Sequence, residues 1–176
     1  MSATGEATDA MIVGGLSRYD VTNRQYGTFN RIISPLGAKA PILTAVTIKV
    51  DSKHVGKKAD LIVAGIHTLP AGLPYAYPNG GFQWYMLVGC STCPKGWKVQ
   101  ALSTVENTPF PLLTKPELLP LKTIEQLPQY LTIEMFEGTF DTIGQLDMYV
   151  GYRVEEGEDQ GKVIANIPGI EITLVE

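Results

Sequence analysis

Cys90-Ser91-Thr92-Cys93 spaces two thiols as redox and zinc modules do, and it is the clearest chemical motif in the chain. A redox thiol is activated at a helix N-terminus, whereas the next residues, Pro94 to Val99, read as a turn entering a strand. Tetrahedral zinc takes four Cys or His ligands. The chain owns two of each, so Cys90, Cys93, His54 and His67 would all have to converge. His54 sits in a polar turn and His67 at the end of an apolar run, and Pro94 stands where haem attachment would need a histidine. Two readings stay open: a short disulfide stapling a loop, which implies an oxidising compartment, or two reduced structural cysteines.

Four carboxylates, Glu155, Glu156, Glu158 and Asp159, crowd one acidic turn and are a candidate set for a hard cation such as Ca²⁺. They lack the alternating Asp/Asn spacing of an EF-hand loop, and a solvated hairpin tip is the competing reading. No other cofactor is called for. Aromatic residues gather from Tyr75 to Trp97; Tyr75, Tyr77 and Trp97 are the candidate ligand-binding set, because exposed rings can hold sugars or a partner's side chains. Phe82 and Trp84 share a strand face and are expected in the core. Neither G-x-S-x-G nor H-E-x-x-H occurs, and with two histidines a nucleophilic triad has little material, so no catalytic residue is assigned and an enzyme is not expected.

The elements that must position these groups are strands. The chain has 176 residues, enough for one domain with a core of its own. It is 44% hydrophobic and only 18% charged, with 18 Gly and 12 Pro, a balance that suits short strands and turns. Net charge is −4 and no basic cluster exceeds Lys57-Lys58, so a nucleic-acid partner is not expected. No apolar run approaches the roughly 18 residues of a membrane span. The opening residues show no secretion signal, as a mature or excised chain would also not.

Leu146, Met148, Val150, Tyr152 and Val154 alternate with polar residues, and after the turn from Glu155 to Gly161 apolar residues return at Val163 and alternate again from Ile170, which predicts a hairpin. Ile42 to Val50 alternates too, and Ala59 to Ile66 is nearly all apolar, as in a strand covered on both faces. Phe82 to Val88, Trp97 to Ala101 and Leu131 to Met135 supply further strands, while five prolines between Ser103 and Pro128 predict a long crossover loop. The expectation is an all-β, antiparallel β-sandwich of about eight strands over residues 41–176, immunoglobulin-like or jelly-roll. Residues 1–40, rich in Ser, Thr, Gly, Asn and Arg, are expected to form an N-terminal extension or strand-donating arm.

The segments Gly56 to Ala64, Phe82-Gln83-Trp84-Tyr85, Met135 to Thr139 and Leu146 to Arg153, with the acidic turn and closing strand, resemble an immunoglobulin-like module of large secreted or surface-anchored bacterial proteins over residues 41–176. The resemblance implies a non-enzymatic structural or assembly role outside the cell, in a matrix or fibre. Its partners would be further copies or neighbouring domains, joined at sheet edges or by the arm. The alternative expectation is a carbohydrate-binding or adhesin module using the aromatic loop.

Overall fold

The computed structural model of the chain describes residues 2, 7–37, 40–70, 77, 81–103, 117–140 and 142–176, with the backbone alone over 34–37. Among these residues there are twelve strands and no helix: β1 (Met11–Asp20), β2 (Gln25–Tyr26), β3 (Ile32–Gly37), β4 (Ile42–Lys49), β5 (Ala59–Thr68), β6 (Phe82–Gly89), β7 (Trp97–Leu102), β8 (Lys122–Ile124), β9 (Tyr130–Gly138), β10 (Gly144–Val154), β11 (Val163–Ala165) and β12 (Ile170–Val175). They form a β-sandwich. One sheet has the order β2-β1-β4-β9, and the other has the path β3-β12-β10-β5-β6-β7, with β8 and β11 paired beside β5 and β10. The count exceeds eight because β1, β2 and β3 lie in residues 1–40, outside the expected sandwich, and β8 lies in the segment expected as a crossover loop.

Alternation sets which face each strand buries. Ile42, Thr44, Val46 and Ile48 of β4 point inward, as do Leu61 and Val63 of β5 and Met148, Val150, Tyr152 and Val154 of β10. Together with Ile170, Ile172 and Leu174 of β12 they fill the space between the sheets. The opposite face of β5 is buried as well: Ile62, Ala64 and Ile66 pack with Trp84, Tyr149, Leu118 and Val163 in a second apolar cluster. That two-sided burial explains why β5 reads as an unbroken apolar run rather than an alternating one.

Residues 1–40, expected as an extension or strand-donating arm, contribute β1 and β2 to one sheet and β3 to the other. β1 pairs antiparallel with β4 from Met11↔Lys49 to Arg18↔Ile42, and β3 pairs parallel with β12, so the large sheet is not purely antiparallel. Leu16 of β1 is fully buried, a burial worth about 2 kcal/mol. The crossing between sheets is tight: Leu16 and Asn30 exchange both backbone hydrogen bonds, and a side chain at Gly15 would collide with the Asn30 carbonyl.

Two irregularities interrupt the ladders. A bulge on β9 shifts the register so that Thr44 faces Phe136 while Ala45 faces Glu134; Met135 and Phe136 therefore both lie on the inward side, as a bulge permits. The strand returning from the acidic turn is split into β11 and β12, and the Asn166 side chain repairs the gap, accepting from the Val150 amide at 2.6 Å and donating to the Met148 carbonyl.

Candidate ligand pocket

β5 carries a glycine where its inward face meets the middle of the large sheet. Gly65 lies between Met148 of β10 and Tyr85 of β6, all three on the inward side. Glycine inside a strand weakens it and often marks a place where something else comes close. Here a cavity of about 470 Å³ lies beside it. Val63, Leu87, Val99, Leu146 and Met148 form its apolar floor and sides, and Phe136, Thr139, Phe140 and Thr142 border it from β9 and the β9–β10 connection. The Phe136 and Phe140 rings stack at 5.0 Å, and the bulge is what turns Phe136 toward the cavity. Val99, on the edge strand β7, is 56% exposed and marks the open side.

One polar relay borders this apolar space. His67 is buried on the inward face of β5, and its Nε2 lies 2.8 Å from the Ile143 carbonyl oxygen, which can only accept, so Nε2 carries a proton and donates it. Nδ1 then accepts from the Tyr77 hydroxyl at 2.5 Å. Tyr77 and Tyr85 both line the cavity. Burial holds the His67 imidazole below its ordinary value, so it is uncharged at neutral pH. Burial, reinforced by Tyr85, pushes the Tyr77 phenol well above its ordinary range. Gly144, at φ +124°, starts β10 against this relay, and any side chain there would meet the Thr68 carbonyl and His67 Nε2.

The sequence-based candidates fall around this pocket unevenly. Tyr77 reaches it, whereas Tyr75 lies outside the described residues. Trp97 packs 6.4 Å from Phe136 instead, and Lys95 sits over both rings while donating to the Glu137 carbonyl at 2.6 Å. Cys90 and Cys93 form a disulfide in the β6–β7 turn that carries Lys95 and Trp97. Trp84, expected in the core, is fully buried in the second cluster. Tyr85, Phe136, Phe140 and Gly65 carry no site signal in the sequence reading. A lone glycine in an apolar strand is the available clue for the last.

The acidic turn is a different construction. Its carboxylates diverge into separate pairs: Glu155 accepts from Arg153 Nε at 2.7 Å, Glu156 from the Lys58 amide at 2.8 Å, and Asp159 meets His54, Lys57 and Lys162, while Glu158 is exposed. Among the described residues no three His, Cys, Asp or Glu side chains gather to hold a metal ion. His54 Nε2 lies 3.1 Å from Asp159 and Nδ1 lies 3.0 Å from the Tyr152 hydroxyl, which also accepts from the Asp51 amide at 3.1 Å. This is the order of a hydroxyl–imidazole–carboxylate relay. Its hydroxyl belongs to a fully buried phenol whose acidity burial suppresses, so no substrate reaches it and its role is to fasten the turn after β4 to the acidic hairpin.

No helix among the described residues is long and apolar enough to cross a membrane. No protein-family model, curated protein or solved structure matches the chain.

Proposed function

We propose that this protein is a non-enzymatic binding module that holds a small, largely apolar molecule between the large sheet and the β9–β10 connection. The observation that carries the reading is the cavity over Gly65: its size falls within the roughly 300–1,000 Å³ of ligand sites, and it combines apolar walls with one polar cluster. Its setting in this proposal is extracellular or at a cell surface, as a module of a larger bacterial assembly, where the Cys90–Cys93 bridge persists. The test uses phenylnaphthylamine, a neutral aromatic probe that fluoresces when sheltered from water. A saturable signal lost in Gly65→Leu supports the reading. No signal, or one unchanged in a folded Gly65→Leu variant, removes it.

A second reading, self-assembly through a sheet edge, is favoured by β9. It ends its sheet, and from Tyr130 to Ile133 its outer side has no partner strand in the described structure. The same edge is partly blunted by the exposed Glu134 and Glu137 and by the bulge. Light scattering over a concentration series decides it, since a monomer at every concentration sinks this reading.

A further inference from the structure

We infer that two copies of this chain pair antiparallel through β9, with Thr132 of one opposite Thr132 of the other, so that their four-stranded sheets become one; this rests on the edge-assembly reading above. The Val50 amide donates to the Gln129 carbonyl. Antiparallel alternation then turns the amides and carbonyls of Leu131 and Ile133 toward β4, and those of Tyr130, Thr132 and Glu134 away from it. These three outward residues are exposed, and no backbone partner meets them among the described residues. The open run is bounded on both sides. Pro128 has no amide to give; at the other end the bulge breaks the ladder and Lys95 takes the Glu137 carbonyl. The middle of what remains is Thr132.

Register and charge name a second copy as the occupant. Centred on Thr132, the pairing engages all three outward residues of both chains, for about six main-chain hydrogen bonds. Any other antiparallel register sets an outward residue against Pro128 or past the bulge. On the outer face of the sheet Lys49 of β4 flanks Tyr130, and Glu134 stands on the same face. Neither charge has an ion-pair partner among the described residues. In the paired register Tyr130 faces the partner's Glu134, which brings Lys49 within two strand spacings, about 10 Å at the backbone, of that residue. The two side chains span this distance across Tyr130, and two-fold symmetry repeats the ion pair.

Sedimentation velocity on the whole chain should show a weak, reversible dimer, since so short an edge buries little area. Thr132→Pro removes an amide that faces away from β4, so it spares the ladder and should weaken the dimer at least about tenfold. Lys49→Glu should weaken it about 3- to 10-fold at low salt, and adding Glu134→Lys should restore it, because the swap rebuilds both ion pairs. Mild oxidation of Thr132→Cys should link two chains, since directly opposed residues lie about 5.5 Å apart, within reach of a disulfide. Tyr130→Cys, more than about 12 Å from its own copy in this register, should not link. A dimer that Thr132→Pro leaves intact, linkage at Tyr130→Cys in place of Thr132→Cys, or a charge swap without rescue overturns this pairing while self-association stands. A monomer at every concentration removes the edge-assembly reading itself.

Discussion

The protein holds two histidine relays of the same order, and they differ in where they end. In both, Nδ1 faces a tyrosine hydroxyl and Nε2 faces an oxygen acceptor: Tyr152–His54–Asp159 at one site, Tyr77–His67–Ile143 at the other. At the first, the Asp51 amide closes the outer end and the phenol is fully buried. At the second, the outer end is the Tyr77 hydroxyl, which borders a cavity. The contrast teaches that a tyrosine–histidine relay is not itself a site. A relay with every donor and acceptor spent inside the chain fastens two loops, whereas one whose outer hydroxyl borders an apolar cavity stands beside space that a ligand could fill.

Denaturation experiments can break this contrast, and the largest effect belongs to the closed relay. Tyr152→Phe leaves His54 Nδ1 and the Asp51 amide without a partner in a dry interior, and should cost about 3 kcal/mol in urea unfolding. A loss under about 1 kcal/mol would mean that water reaches this network. Acid tests the same relay next. Burial alone would raise the Asp51 carboxyl, but hydrogen bonds from the Thr8 hydroxyl and the Lys53 amide, with His54 nearby, bring it down from 3.8 to about 2. Because the folded value is depressed, its contribution is fully present well above pH 3.8 and is lost as pH falls toward about 2. That loss should be on the order of 2 kcal/mol, and Asp51→Asn should flatten this part of the curve of stability against pH.

The open relay should respond less. Tyr77→Phe removes the hydroxyl that donates to His67 Nδ1, yet the cavity opens a path for water to replace it, so about 1 kcal/mol is expected. Tyr85→Phe removes a hydroxyl at the cavity wall and should change stability by less than about 0.5 kcal/mol. If Tyr77→Phe destabilised as much as Tyr152→Phe, the two relays would be alike and the distinction would fall.

Periodicity decides how much of the molecule is legible in the sequence. The inward face of β10 and the buried Trp84 are readable because period-two alternation runs unbroken through them. β1 is hidden because its inward positions are Ile12, Gly14 and Leu16, where a glycine interrupts the apolar pattern. Phe136 escapes because the bulge adds one residue, after which alternation points the wrong way. Tyr85 reads only as the residue facing away from Trp84, and that face is the cavity side. His67 stands out in the sequence only as a possible metal ligand. Its acceptor, Ile143, lies 76 residues away and is brought to it by the β5–β10 pairing. The acidic turn resembles a cation site for the converse reason, since spacing does not reveal that Arg153, Lys58 and His54 claim its oxygens.

With two histidines in the chain, nitrogen NMR of the imidazoles during titration with phenylnaphthylamine reports on both relays at once. The His67 ring resonances should shift saturably, with Nε2 still protonated, while those of His54 stay in place. Movement of His54 alone, or no movement at His67 at saturating probe, would contradict binding beside the His67 relay.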